Sequence, residues 1–244
     1  MNMQHKSFAK IRRAIVLATV MFGIFGGSAN VSACSPASGK KFKPATNLDQ
    51  VGIASTILIG KVVRWNAKWD KTHQYLEESS IEVMPMMALK GISPKSSFRL
   101  PGVAMTDKEL YGRARPSHQD EFELPHVDAF GGGCNRSNFV VGQRVLFMLV
   151  RQDGSWDGIP VPFSRWAEDV QTLDAPWVQL VKIYVRASTL PKRQRTGYLK
   201  AERQRLLAGE PTRIRRLMAD DIKRQITRTW SGRDHPDEDF LPQK

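Results

Sequence analysis

Gly131-Gly-Gly-Cys134-Asn-Arg-Ser-Asn-Phe139-Val-Val-Gly142-Gln-Arg-Val145-Leu-Phe147-Met-Leu149 is the stretch whose reading decides the fold. A cysteine sits in a glycine-rich lead-in, a Val-Val-Gly turn follows, and a dense apolar run begins at Val145. Val145, Phe147 and Leu149 alternate with Leu146, Met148 and Val150, so neither face is polar. That pattern predicts a central strand covered on both sides, over Arg144 to Arg151. The Gly131-Gly-Gly133 run reads as a flexible lead-in rather than a ligand-approach loop.

Upstream, Ile53 to Trp65 is rich in β-branched residues and predicts a first strand, with Gly60 marking a bulge or sharp coil. Asp70 to Ser80 is polar and reads as a hairpin tip. Ile81 to Leu89 is the second strand, and Pro85 places it at an edge or a bulge. Phe98 to Val103 is a short third strand broken by Pro101. Residues 106 to 133 form a long polar insertion, a length that points to function or mobility. After the central strand, Asp153-Gly154 signals a turn, and Trp156 to Phe163 is a fifth strand carrying Pro160 and Pro162. Five short strands, one bulged early and one buried, predict a small Greek-key barrel of OB-like type.

The texture changes at Asp174. Asp174 is expected to cap a helix entered at Pro176, with Trp177, Leu180, Val181 and Tyr184 on one face. A second helix is expected from Pro191 to Gly209, with Tyr198, Leu199, Leu206 and Leu207 inward. A third is expected from Pro211, with Ile214, Leu217, Met218, Ile222, Ile226 and Trp230 as its apolar stripe. The expected organisation is a leader over 1–33, a barrel over 34–165, a basic helical region over 174–230 and a polar tail over 231–244.

The N-terminus predicts a compartment. Lys6, Lys10, Arg12 and Arg13 precede the apolar run Ala14 to Phe25, and Gly26 to Ala33 is small and turn-prone. This is the order of a secretory signal peptide, and the run is shorter than the roughly 20 residues of a membrane span. Export to the periplasm or beyond is expected. Cleavage after Val31-Ser-Ala33 leaves Cys34 first, and the same four residues resemble a bacterial lipobox, so a free or a lipid-anchored Cys34 are the two alternatives. Cys34 and Cys134 are the only cysteines, and in an oxidising compartment one disulfide between them is expected, with two unpaired thiols as the alternative. The disulfide closes a loop of about 100 residues, worth about 4.7 kcal/mol in chain-entropy terms.

The chain carries a formal +13, unevenly spread. Between Arg186 and Arg233 fourteen basic residues face four acidic ones, a net +10. Arg193, Arg203, Arg213, Arg216, Lys223 and Arg224 are candidates for a basic surface that meets polyanions, which outside the cytoplasm means anionic envelope surfaces more than nucleic acid.

Catalytic signals are sparse. There is no Gly-x-Ser-x-Gly elbow, no phosphate-cradling Gly-x4-Gly-Lys-Ser/Thr loop and no His-Glu-x-x-His pair. His118, Glu121, Glu123, His126 and Asp128 cluster in the long insertion and are by residue type candidate metal ligands. Their spacing fits no helical pair, and they read as solvated loop residues. Trp65, Trp69, Phe98 and Tyr111 are the candidate stacking residues for a nucleic acid, and they read as core instead. No cofactor is expected.

Several of these elements together resemble the netrin-like module family, whose best-known members are the tissue inhibitors of metalloproteinases. They are Cys34-Ser-Pro36, Ala54-Ser-Thr-Ile-Leu-Ile-Gly-Lys-Val-Val63, Ala88-Leu-Lys-Gly91, and Cys134 followed by Phe139-Val-Val-Gly142-Gln-Arg-Val-Leu-Phe147. The resemblance covers Cys34 to Phe163. It implies a five-stranded OB-fold barrel with its N-terminal cysteine bonded to the cysteine before the fourth strand. It also implies a protein-binding role, in the specific case metalloprotease inhibition through the amine and carbonyl of Cys34 and the side chain of Ser35. Pro36 stands where the inhibitors carry a second cysteine, and the helical part has no counterpart in them. The expected function is therefore non-catalytic protein binding, with envelope association as the second reading and a metal-dependent enzyme as the third.

Overall fold

The computed structural model describes residues 45–70, 72, 75–105, 126–130, 135–209 and 212–228. The leader, Cys34, Ser35, His118, Tyr111, Cys134, Trp230 and the polar tail lie outside these residues. The disulfide, lipidation and leader expectations therefore concern positions that are not described.

The described part opens with a short helix, α1 (Asn47–Ile53), for which the sequence reading had no counterpart. Thr46 caps it: its hydroxyl accepts from the Asp49 amide, and the Asp49 carboxylate accepts back from the Thr46 backbone. Two long strands follow, β1 (Thr56–Asp70) and β2 (Tyr75–Lys90). They pair antiparallel from Ile57/Lys90 out to Asp70/Tyr75, so most of the expected polar tip is a two-stranded ribbon. The register shifts between Ile59 and Gly60, with Gly60 opposite Pro85. That is the bulge the two residues signalled, and a side chain on Gly60 would run into Val83.

β3 (Phe98–Pro101) pairs with β2, and β4 (Val103–Met105) pairs in parallel with β5 (Asn138–Val140) as a separate two-stranded sheet. β6 (Arg144–Gln152) is the central strand. It pairs with β1 on one side, and on the other with β7 (Ser155–Gly158) and β8 (Ala167–Asp169). Val145 through Leu149 are all fully buried, as their apolar run requires. Asp153 and Gly154, both with positive φ, make the tight β6–β7 turn.

The expected barrel is corrected by the strand order. The main sheet runs β3-β2-β1-β6-β7 with β8 on β6, six antiparallel strands that do not close. Both edge strands are four residues long. The fifth strand ends at Gly158 instead of reaching Phe163, because Pro160 and Pro162 cannot donate to a ladder. The edges approach through side chains alone, with the Phe98 and Trp156 rings edge-to-face at 6.2 Å. A shallow cleft of about 510 Å³ lies there, walled by Arg99 and Leu100 on one side and Ser155 and Asp157 on the other.

Three helices complete the described part: α2 (Pro176–Thr189), α3 (Lys192–Leu207) and α4 (Arg213–Thr227). α2 begins at Pro176 as expected, but Ala175 occupies the cap position without a side-chain bond, so Asp174 is not the cap. Its inner face, Trp177, Val178, Leu180, Val181 and Tyr184, belongs to the same apolar core as Leu58, Phe147 and Trp166.

Candidate functional site

α3 is basic almost all the way round. Its sequence, Lys-Arg-Gln-Arg-Thr-Gly-Tyr-Leu-Lys-Ala-Glu-Arg-Gln-Arg-Leu-Leu, supplies only Leu199 and Leu206 to the interior, with Tyr198 and Leu207 half-buried. α4 is amphipathic. Met218, Ala219 and Ile222 face in, while Arg213, Arg216, Asp220 and Lys223 face out at helical spacing.

Some of these cations are used locally. Arg205 Nε lies 2.8 Å from Glu202, and Arg224 Nη2 is 3.1 Å from buried Asp221. Arg228 reaches Asp49 at 3.3 Å. Arg195 donates to the carbonyls of Leu190 and Ser188 at the end of α2, and Arg215 to that of Arg205 at the end of α3. Seven exposed cations remain that have neither an acidic partner nor a side-chain hydrogen bond among the described residues. They are Lys182, Arg186, Lys192, Arg193, Lys200, Arg216 and Lys223.

Their placement runs against helix electrostatics. The first turns of α3 and α4 hold Lys192, Arg193 and Arg195, and Arg213, Arg215 and Arg216, with no acid in either. A helix N-terminus carries partial positive charge and favours acids. Charge for solubility alone would sit better at the other ends.

Of the expected basic surface, Arg193, Arg213, Arg216 and Lys223 are exposed, Arg203 is half-buried, and Arg224 turns inward to Asp221. Lys182, Arg186, Lys192 and Lys200 were not singled out. Their signal was the outward spacing of Lys182 and Arg186 on α2 and the shortage of apolar residues on α3.

Of the long-insertion candidates, His118, Glu121 and Glu123 lie outside the described residues, and His126 and Asp128 are placed differently from their reading as solvated residues. His126 is 4% exposed. Its Nδ1 accepts from the Asp128 amide at 3.2 Å, which puts the imidazole proton on Nε2, 3.5 Å from Asp169 Oδ2. Asp169 also meets Arg136 Nη2 at 2.8 Å, and Arg136 donates to the carbonyls of Asn138 and Ala167. Burial pushes the Asp169 carboxyl above the usual range, against the pull of Arg136 and His126. Asp128 accepts from the amides of Ser137 and Asn138 and from the Asn138 side chain. Glu168 accepts from the His126 amide and lies 3.4 Å from Arg165, whose guanidinium covers the Trp177 ring at 4.8 Å. The short strand β8 thus brings two acids into a packed ionic layer that ties Val127–Phe130 to the sheet. Among the described residues no group of three His, Cys, Asp or Glu is arranged to hold a metal ion.

The aromatic candidates divide. Trp65 donates to Ser79 Oγ at 2.8 Å and is half-buried, Phe98 packs on Trp156, and Trp69 is 56% exposed on the ribbon. No described helix is long and apolar enough to cross a membrane.

No protein-family model matches the sequence. No curated protein matches it either.

Proposed function

We propose that this chain is a non-catalytic binding protein of the cell envelope that engages a polyanionic partner through the exposed cations of α2, α3 and α4. One observation carries the reading. Seven exposed cations have no ion-pair or side-chain hydrogen-bond partner among the described residues, some of them in first turns where they oppose the helix dipole. A fold does not need that arrangement, whereas a polyanion site does. The burial of His126, Asp169 and Glu168 in packing contacts supports the non-catalytic part. The leader-like N-terminus and the cysteine pair support the envelope.

The test is retention on an immobilised polyanion such as heparin. The native chain is expected to elute at clearly higher salt than the triple variant R193Q/R216Q/K223Q. Equal elution of the two would overturn the reading.

A further inference from the structure

We infer that the polyanion is an anionic phospholipid surface, met flat and held by charge alone without insertion. This rests on the polyanion reading above and names its partner.

The spread of the cations is the first argument. Lys192 and Lys200 are eight residues apart on α3, a rise of about 12 Å, and Arg216 and Lys223 seven apart on α4, about 10.5 Å. Lys182 and Arg186 add a third helix. Such a set does not converge on one small anion. It suits an extended array of headgroups, each cation meeting its own phosphate.

The absence of apolar anchors is the second. Among the described residues the exposed large hydrophobic ones are Ile53, Trp69, Met84, Met86, Ile92 and Leu173, and none lies on α2, α3 or α4. A protein interface draws most of its affinity from buried aromatic or aliphatic anchors, and a single-stranded nucleic acid from stacking platforms. An inserting amphipathic helix needs an exposed apolar face. These helices offer none of the three, and what remains is peripheral attraction to a charged plane. Four of the seven cations are lysines, hydrated point charges that serve a diffuse field better than a bidentate phosphate pocket. Duplex nucleic acid presents a similar field, and the leader-like N-terminus favours the membrane over it.

The experiment is co-sedimentation of the full chain with vesicles of phosphatidylcholine containing about one third phosphatidylglycerol, a fraction in the anionic range that attracts polybasic surfaces. Pure phosphatidylcholine vesicles report any contribution of the apolar leader, and heparin and duplex DNA are parallel arms. Binding is expected only to the anionic vesicles, with release at high salt. It should weaken by about 100-fold in R193Q/R216Q/K223Q, at about fivefold per cation. The charge-preserving double variant R193K/R216K, with Lys223 intact, should bind as the native chain does, which separates charge from folding. Equal binding to both vesicle types overturns the inference, as does tighter binding to duplex DNA than to anionic vesicles at the same salt. Salt-sensitive heparin binding without vesicle binding overturns the lipid assignment and leaves the polyanion reading standing, whereas failure in every arm removes both.

Discussion

Tyr184 on α2 donates its hydroxyl proton to Asp221 on α4, inside the seam between the two helices. The same carboxylate accepts from the Asn47 side chain at 3.1 Å and from Arg224, so one buried acid ties α1, α2 and α4 together. Leu48 adds a second tie, its amide donating to Gln225 at 2.9 Å. The helix that presents Arg216 and Lys223 is thereby locked to the body of the protein.

Removing that donor is expected to cost about 1.5–3 kcal/mol, the range for hydrogen bonds to a charged group. Chemical denaturation of Tyr184→Phe measures it. The effect depends on pH with a definite sign. Burial, then the charge of Asp221, holds the Tyr184 hydroxyl well above its ordinary value. The contribution is therefore full below about pH 10, where the unfolded tyrosine starts to ionise, and is lost as pH rises beyond it. The stability gap between native and Tyr184→Phe chains should shrink in alkali. A gap that widens contradicts the assignment.

The Arg136–Asp169 pair sits with side chains 0% and 4% exposed. Asp169→Leu leaves a buried guanidinium uncompensated, and a loss of about 3–5 kcal/mol is expected. Replacing both partners, Arg136→Met with Asp169→Leu, should recover most of it. A double variant no better than the single one, by thermal melting, would show that the pair does more than balance charge.

Gly158 lies against the ring of Trp166, where an added Cβ would stand 2.7 Å from Cδ2 and Cε3. Gly158→Ala must push that buried ring aside, an overpacking loss of about 1–3 kcal/mol. Near-UV circular dichroism should change with it, since Trp166 packs on both Phe139 and Phe147.

The first turn of α3 sets stability against binding. Lys192→Glu or Arg193→Glu replaces a cation by an acid at the positive end of the helix. Each should raise stability by about 0.3–1 kcal/mol while weakening polyanion binding. Thermal melting and heparin affinity, measured on the same variants, should move in opposite directions.

How far the sequence could be read follows from where its signals are local. Val145 to Leu149 announced a buried strand because five consecutive apolar residues leave no solvent face. The helix starts at Pro176 and the apolar spacing of α4 were equally local. Closure of the sheet was not legible, because it depends on the lengths of β3 and β7, and these are cut short by single prolines and glycines. β8 was missed because Ala167-Glu-Asp169 has no strand pattern, its acids being buried by partners remote in sequence. His126 was misread for the same reason. α1 could have been found from Thr46 and Asp49, a capping pair three residues apart. Within the basic region the charge count was plain, but which cations are spent on carbonyls and which stay exposed is a matter of packing: Arg195 and Arg215 look in sequence just like Arg193 and Arg216.

The most direct test of the central claim is the salt dependence of binding to a soluble polyanion, by titration of heparin into the full chain across a range of ionic strengths. Affinity is predicted to fall steeply and linearly on logarithmic axes, with a shallower slope for R193Q/R216Q/K223Q, because a chain with fewer cations displaces fewer counterions from the polyanion. An affinity indifferent to salt, or one slope shared by both proteins, would contradict it.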